Sequence, residues 1–238
     1  MRAVILAGGR GTRLAPYTAA LPKSLMPIGE MPILELLIRQ LQRYGIGQIT
    51  LAVGHLAEVI MAYFGDGTKF GVEIQYSREE RALGTAGPLG LLADLDERFL
   101  VMNGDLLTDL DFRAFLEWHR EQGAMATIGI YEREVLIDLG VIRLDGSNRI
   151  TDYIEKPVYR YHASIGVYAL EPAVLKCIPP GRPFDLPDLV RALLARGHGV
   201  VGYLHRGYWL DIGRREDYEQ AQADFGRMRA RLLGETVG

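Results

Sequence analysis

Residues 3–9 of the chain read AVILAGG, an apolar run that ends in two glycines. An uninterrupted apolar run of this length is typical of a strand that is covered on both faces in a parallel sheet. The glycines predict a tight turn at the end of that strand. The stretch therefore predicts an α/β fold built around a first buried strand.

Helical and strand patterns alternate after this turn. Pro32 opens a helix in which apolar residues recur every three or four positions until Gly45. The elements expected next are strands at about 49–53, 72–76 and 99–102 and helices at about 57–64 and 112–122. Such alternation predicts a doubly wound, mainly parallel sheet flanked by helices, a Rossmann-like fold whose ligands bind at the carboxyl ends of the strands.

Beyond residue 110 strands follow one another, so we expect a mixed sheet in which some strands pair antiparallel. The elements expected here are strands at about 126–131, 140–144, 149–154, 164–170 and 200–205 and helices at about 186–195 and 216–231. Neither an internal repeat nor a long linker interrupts the 238 residues, which predicts a single domain. Residues 234–238 are expected to fray.

The composition excludes several classes of partner. Lys and Arg together number 27 and Asp and Glu 30, and the formal charge of −3 offers no general attraction to a nucleic-acid backbone. Cys177 is the single cysteine, which excludes an internal disulfide and suits a reducing compartment. No apolar run approaches the ~18–20 residues of a membrane span. We therefore expect a cytoplasmic protein with no nucleic-acid or membrane partner.

Glycines and arginines follow the first strand in LAGGRGTRL, residues 6–14. Backbone N–H groups left bare by glycines can wrap a polyphosphate, while guanidinium groups neutralise its charge. The segment is neither a dinucleotide-binding fingerprint, because Leu14 stands where a small residue is needed, nor a P-loop, because it lacks the Gly-Lys-Ser/Thr ending. The alternative interpretation is a tight turn that binds nothing.

A second motif, PKSLMP at residues 22–27, places Lys23 between prolines on a stiff segment. The pair of motifs resembles the opening of the sugar 1-phosphate nucleotidyltransferase family, and most of all its mannose and heptose 1-phosphate guanylyltransferases. The resemblance implies that Arg13 and Lys23 are catalytic and stabilise charge as pyrophosphate leaves. It also implies nucleotide binding by Leu6, Ala7, Gly8, Gly9, Gly11, Thr12, Arg13 and Lys23.

Two isolated aspartates are the candidate metal ligands. Asp105 ends the segment VMNGD, directly after an apolar strand, and Mg²⁺ prefers one or two such carboxylates together with phosphate oxygens and water. A turn or helix cap is the alternative, which suits Asp109 or Asp111 better, ahead of the expected helix at 112. Asp105 matches the N-G-D motif of the family, and YWLDIG resembles its W-x-D-I-G segment. The resemblance implies that Asp105, also catalytic, and Asp211 hold Mg²⁺.

The segments IEKP and SIGVY, at residues 154–157 and 164–168, resemble the sugar side of the family. The likeness implies that the sugar phosphate is bound by Gly140, Glu155, Lys156, Ser164 and Gly166. The family often has Asn-x-Gly where this chain has HAS at residues 162–164, so the identity of the sugar stays open.

The LGTAG loop, residues 83–87, resembles the segment that binds the base, which implies a role for Glu79, Gly84 and Thr85. A carboxylate at Glu79 or Glu80 can accept two hydrogen bonds from guanine, whereas uracil and thymine present two carbonyls and would be repelled. These residues therefore favour GTP. The alternative is that the two glutamates are ordinary surface charges.

The resemblance implies transfer of a nucleoside monophosphate from a nucleoside triphosphate to a mannose-like or heptose-like 1-phosphate, with release of pyrophosphate. Residues of about 1–110 would bind the nucleotide and about 111–238 the sugar, without the left-handed β-helix domain of some relatives. Alternatives are dTTP, UTP or CTP with another sugar or cyclitol phosphate, and a non-catalytic paralogue that binds nucleotide sugars and regulates a partner. A nicotinamide-dependent oxidoreductase is opposed by Leu14. A homodimer is the default expectation.

Overall fold

The computed structural model describes residues 1–92 and 94–234. Its strands are β1 (Arg2–Leu6), β2 (Pro27–Ile28), β3 (Met31–Pro32), β4 (Gln48–Val53), β5 (Glu73–Arg78), β6 (Phe99–Asn103), β7 (Leu106–Thr108), β8 (Ala126–Leu136), β9 (Val141–Leu144), β10 (Ile150–Ile154), β11 (Val158–Leu170), β12 (Val200–Leu204) and β13 (Trp209–Asp211). Its α-helices are α1 (Ile33–Arg43), α2 (Ala57–Phe64), α3 (Phe112–Gln122), α4 (Leu186–Ala195) and α5 (Arg215–Leu233). Of the segment expected to fray, residues 235–238 lie outside the described residues.

A seven-stranded sheet in the order β12-β8-β11-β6-β1-β4-β5 forms the centre of the molecule. β1 pairs in parallel with β4 and β6, and β4 pairs in parallel with β5. β11 runs antiparallel to both of its neighbours, β6 and β8, while β12 is parallel to β8. The expected doubly wound, mainly parallel mixed sheet is confirmed, and its strand order reverses at β1, where such sheets carry their ligands.

Side chains of β1 point alternately into two hydrophobic layers. Ala3 and Ile5 are fully buried in the layer that contains α1, α2 and α3. Val4 is buried in the opposite layer, which contains α4. Because the burial of a Val or Ile side chain contributes about 1.5–3 kcal/mol, the central place of β1 in the sheet explains the apolar run at the start of the chain.

Local capping residues set the ends of the helices. The carboxylate of Asp111 accepts a hydrogen bond from the backbone N–H of Ala114 at 2.9 Å, which confirms this residue as the N-cap of α3. Gly123 ends the same helix in a left-handed conformation with φ of 55°. Asp185 and Asp188 form a capping box at the start of α4. No described helix combines the length and apolar character that a membrane span requires.

β8 and β11 extend further than the sequence pattern predicts. Their antiparallel pairing continues from Ile130 and Ser164 outward to Leu136 and Val158, beyond the body of the sheet. Together with the β9–β10 hairpin, this extension forms an arm of residues 132–163. The larger apolar side chains that the arm exposes are Val135, Leu136, Leu139, Ile142, Leu144, Ile150, Tyr153, Val158, Tyr159 and Tyr161.

Candidate active site

A cavity of about 1060 Å³ opens at the carboxyl ends of β1, β4, β5 and β6. It is lined by Leu6, Gly8, Gly9, Arg10, Ala52, Gly54, His55, Arg78, Glu79, Glu80, Arg81, Ala82, Gly84, Thr85, Asn103 and Asp105. The wall of this one cavity therefore contains the predicted metal ligand Asp105 and six of the predicted nucleotide-binding residues, which are Leu6, Gly8, Gly9, Glu79, Gly84 and Thr85. The cavity lies at the edge of the sheet where the strand order predicts a ligand.

The glycine loop is packed closely on one side and open on the other. A Cβ atom at Gly8 would lie 3.1 Å from Oε1 of Glu79, whereas one at Gly9 would meet no atom within 4 Å. Gly11 adopts a φ of 61°, and a Cβ there would lie 3.1 Å from Cβ of Lys23. The absence of side chains thus leaves backbone facing the cavity and lets the lysine segment approach the loop.

A small two-stranded ribbon, formed by β7 and β13, brings together the two aspartates that the sequence separates by a hundred residues. Asp211 lies opposite Leu106 in this ribbon, and the backbone N–H of Ile212 donates to the carbonyl of Asp105 at 3.1 Å. The Lys23 amine forms an ion pair with Oδ2 of Asp105. The other carboxylate oxygen of Asp105 is buried and has no hydrogen-bond partner among the described residues.

The electrostatics of Asp211 reflect a mixed cluster of charges. Burial raises the pKa of the Asp211 carboxyl, and the neighbouring carboxylate of Asp105 raises it further. Lys23 and Arg13 act in the opposite direction and lower it. Asp105, Lys23 and Arg13 are thus all close enough to act on the Asp211 carboxylate, so that two anions lie beside two cations.

The donors present fit a hard divalent cation. The unpartnered oxygen of Asp105 and the half-buried carboxylate of Asp211 would offer two oxygen ligands, and Mg²⁺ in proteins commonly completes its shell with phosphate oxygens and water. No group of three or more candidate ligand side chains occurs within residues 1–92 and 94–234. The pair of carboxylates therefore suits a metal that arrives with a phosphate ligand better than a closed structural site.

The loop that was predicted to read the base is braced from within. Oε2 of Glu79 accepts the backbone N–H of Leu83 at 2.8 Å, and burial raises the pKa of this carboxyl despite that bond. The backbone N–H and hydroxyl of Thr85 both donate to Asp185, at 2.8 and 3.1 Å. Glu80 is exposed at the cavity wall and has no partner among the described residues.

The predicted sugar-side residues fall into two groups. Ser164 and Gly166 belong to an irregularity in β11 next to the cavity, where a Cβ at Gly166 would lie 2.6 Å from the side chain of Asn103. Gly140, Glu155 and Lys156 lie instead on the arm. Lys156 is 56% exposed and pairs with Asp138 at 2.7 Å, and the three arm residues are not part of the cavity wall.

Two site residues have no role in the sequence prediction. Asn103 ends β6 and lines the cavity beneath Gly166. Trp209, in the ribbon, donates its indole N–H to the carbonyl of Ile165 at 2.9 Å and so joins the aspartate side to the irregularity in β11. Each residue is two positions before a predicted metal ligand, and this closeness in sequence could have indicated that it belongs to the site.

The fold and the cavity together define a Rossmann-like α/β protein with its site at the carboxyl ends of the parallel strands. The chain belongs to the nucleotidyl transferase family, whose pattern matches residues 2–227. This membership confirms the family that the two opening motifs indicated.

Individual relatives differ in their named substrates. A Synechocystis protein named UTP–glucose-1-phosphate uridylyltransferase is 39% identical over 93% of this chain and 62% of its own length. A mannose-1-phosphate guanylyltransferase of Mycobacterium tuberculosis is 34% identical over 94% of this chain and 64% of its own. The chain thus spans less than two thirds of these relatives. A Bacillus anthracis structure described as a glucose-1-phosphate thymidylyltransferase superposes with a TM-score of 0.76 at 28% identity, covering 94% of both chains.

Proposed function

We propose that the chain transfers a nucleoside monophosphate from a nucleoside triphosphate to a sugar 1-phosphate. A phosphate oxygen of the sugar 1-phosphate attacks the α-phosphorus in line, the bond from the α-phosphorus to the bridging oxygen breaks, and pyrophosphate leaves. The observation that carries the proposal is the assembly of Asp105, Asp211, Lys23 and Arg13 into one charged cluster beside the glycine loop.

Each group in this cluster has a proposed role. Bound Mg²⁺ would supply positive charge to the phosphates, and the carboxylates of Asp105 and Asp211 would hold it. The glycine loop would bind the triphosphate through backbone N–H groups, and Lys23 and Arg13 would stabilise the charge that develops on the leaving pyrophosphate. The attacking phosphate is already ionised at neutral pH, so the reaction needs no general base.

We favour GTP as the nucleotide. Glu79 already accepts the N–H of Leu83, which leaves Glu80 as the carboxylate at the cavity wall that is free to accept hydrogen bonds from a base. Guanine offers N1–H and an amino group to such a carboxylate, whereas uracil offers carbonyl oxygens. The mannose-1-phosphate guanylyltransferase among the relatives supports the same choice, and a mannose-like or heptose-like sugar with it.

UTP with glucose 1-phosphate is the second candidate. It is supported by the name of the Synechocystis relative, which has 39% identity to this chain. In this case Glu80 would stay in solvent, and the base would contact the backbone of the loop at Leu83 and Gly84. The two candidates therefore differ in whether the Glu80 carboxylate matters.

The test is pyrophosphate release with Mg²⁺, with GTP, UTP, dTTP, CTP and ATP each paired with hexose, heptose and cyclitol 1-phosphates. Glu80→Gln is the diagnostic variant and Glu117→Gln, outside the cavity, is the matched control. We expect release with GTP and a rise in KM for GTP of about tenfold in Glu80→Gln, the loss of a hydrogen bond to a charged group. Release with UTP and an unchanged KM in this variant would support the second candidate.

Silence across the whole panel has a separate meaning. It would contradict the proposed reaction and favour the non-catalytic nucleotide-sugar-binding alternative, which a titration with GDP-sugars and UDP-sugars would then test. We propose a cytoplasmic location and a homodimer on the grounds given by the sequence, and size measurement in solution checks the latter.

A further inference from the structure

The β7–β13 ribbon is too short to set its own alignment. Each strand contributes three residues, with Asp211 opposite Leu106 at one end and Trp209 opposite Thr108 at the other. Side chains alternate along a strand, so a slip of one residue would turn Asp211 to the opposite face. Something beyond these three pairs must therefore hold the aspartate beside Asp105.

Asp109 closes the end of the ribbon that is far from the proposed metal site. Its backbone N–H donates to the carbonyl of Tyr208 at 3.1 Å, and its Oδ1 accepts the N–H of Tyr208 at 2.8 Å. One backbone and one side-chain hydrogen bond thus hold Asp109 opposite Tyr208, next to the last pair of β7 and β13. This pairing fixes which residue of one chain segment stands opposite which residue of the other.

The carboxylate of Asp109 is held from two further elements. Nε2 of His205, which follows β12, lies 3.1 Å from Oδ1 of Asp109 and 3.1 Å from the carbonyl of Tyr208. Since both neighbours are acceptors, Nε2 carries the proton. Nε of Arg231, on α5, forms an ion pair with Oδ2 at 2.5 Å. A Cβ at Gly207 would lie 2.1 Å from Oδ1, so glycine alone leaves room for this arrangement.

Removing the charges of this contact network from water costs free energy, so stability alone does not explain it. The side chains of Asp109 and His205 are 3% and 8% exposed, and a buried ionic cluster is often no more stable than apolar residues of similar volume. Asp109 is not part of the cavity wall. Thr108, which precedes Asp109, is three residues from Asp105, and Tyr208, which faces Asp109, is three residues from Asp211. Three residues span about 10 Å at the usual rise per residue of a strand.

We propose that Asp109 is a positioning residue, which with His205 and Arg231 fixes the register of β13 against β7 and so places Asp211 beside Asp105. The proposal rests on the proposed function, because it gives the two aspartates a common ligand. Its consequence is that loss of Asp109 weakens metal binding although Asp109 contacts no metal. Outer residues that orient ligands commonly change metal affinity by about 10–100-fold when they are replaced.

The experiment compares Asp109→Asn, Asp109→Ala and Arg231→Met with the control Asp111→Ala in the full chain. Asp111 lies two residues away and caps α3, so its loss lowers stability without touching the ribbon. Mn²⁺ binding is measured by electron paramagnetic resonance on the protein alone and with a nucleoside triphosphate but no sugar phosphate. The values of kcat, KM and the Mg²⁺ midpoint are measured by pyrophosphate release. Thermal melting shows that each variant is folded.

We expect Mn²⁺ affinity to fall about tenfold in Asp109→Asn, with a matching rise in the Mg²⁺ midpoint and an unchanged KM for the nucleotide at saturating metal. Arg231→Met should give a smaller loss, and Asp111→Ala a lower melting temperature with normal metal affinity. A folded Asp109→Asn variant with wild-type Mn²⁺ affinity would overturn the proposal even if the enzyme is active.

The same data separate this proposal from the proposed function. Mn²⁺ binding that depends on Asp109, in a protein that releases no pyrophosphate with any substrate pair, would support the positioning role and contradict the reaction. Pyrophosphate release by the wild-type protein, together with a metal affinity that is unchanged in Asp109→Asn, would support the reaction and contradict the positioning role. A wild-type protein that binds no Mn²⁺ either alone or with a nucleoside triphosphate would overturn the metal site and the positioning role together.

Discussion

The β7–β13 ribbon and the arm of residues 132–163 carry opposite halves of the proposed site, and they are built differently. Leu107 in the ribbon is 0% exposed, whereas Leu139 in the arm is 72% exposed. The ribbon is tied at both ends by backbone hydrogen bonds, while the arm leaves the body of the sheet. The aspartates are therefore preformed, whereas Glu155 and Lys156 stand apart from the cavity.

Under the proposed function, the two regions differ in how firmly their charged side chains are held. Preorganised charge stabilises a transition state without a cost of reorganisation, which suits the phosphates. On the arm, Lys156 pairs with Asp138 and Arg160 with Glu134, and exposed pairs of this kind contribute only about 0–1 kcal/mol each. Little free energy holds the Lys156 amine to its present partner, so under the proposed function a sugar phosphate would compete for it.

The largest effect is expected in the ribbon. Asp105→Asn and Asp211→Asn each remove a charge from the proposed metal site, and we expect kcat to fall by about 10²- to 10³-fold, the scale of losing a main electrostatic contact of a transition state. Melting curves should show folded proteins. The exposed Asp96→Asn is the control, and near-normal magnesium-dependent turnover in both site variants would contradict the metal assignment.

The next prediction compares the packing of the two regions. Leu107→Ala should lower the free energy of unfolding by about 2–5 kcal/mol, because it leaves a cavity among buried neighbours. Leu139→Ala in the arm should change it by less than about 0.5 kcal/mol. Urea denaturation monitored by circular dichroism measures both values. A large loss for Leu139→Ala would show that the arm is covered in solution, for instance by a second copy of the chain.

The sequence predicted most of the fold because its longest elements carry strong periodic signals. The apolar run of β1, the helix after Pro32 and the helix after Asp111 all follow from local patterns. The ribbon escaped prediction since three residues contain no usable period. The role of Asp109 depends on contacts from residues about a hundred positions later, which no local pattern reveals.

The candidate site divides in the same way. Motifs predicted the residues of the glycine loop, of which Leu6, Gly8 and Gly9 line the cavity, whereas Ala7, Gly11, Thr12 and Arg13 are not part of its wall. Sequence spacing could not indicate that Lys156 lies on an arm that leaves the cavity, because the early start of β11 was missed. Tyr159, Arg160, Tyr161 and His162 alternate in character, and this alternation was the available signal for the longer strand.

A third prediction tests whether the arm reaches the substrate. Lys156→Met should raise KM for the sugar 1-phosphate by about 10- to 100-fold, since it removes a hydrogen bond to a charged group, with a smaller effect on KM for the nucleotide. Arg143→Met, on the β9–β10 hairpin, is the matched control for loss of a positive charge. Steady-state kinetics with varied sugar phosphate provide the measurement, and equal KM values in all three proteins would remove Lys156 from the site.

The smallest effect concerns His119, which lies on α3 against the buried first residues of β8. Nδ1 of His119 lies 2.7 Å from the hydroxyl of Thr127, and burial lowers the pKa of the ring below its ordinary value of 6.5, although Glu171 opposes the shift. The unfolded chain thus gains a proton at this ring more readily than the folded protein, so stability falls as the pH drops below 6.5. We expect a loss of up to about 1 kcal/mol over the first pH unit.

His119→Gln separates this contribution from other titrating groups, because glutamine can still bond to Thr127 but does not titrate. Urea unfolding at pH 7.5 and 5.5 should show a smaller dependence on pH in the variant than in the wild-type protein. An equal change in the free energy of unfolding with pH in both proteins would mean that His119 does not contribute to the acid sensitivity of the fold. A smaller slope would show that the burial of His119 between α3 and the buried start of β8 contributes to the acid sensitivity of the fold.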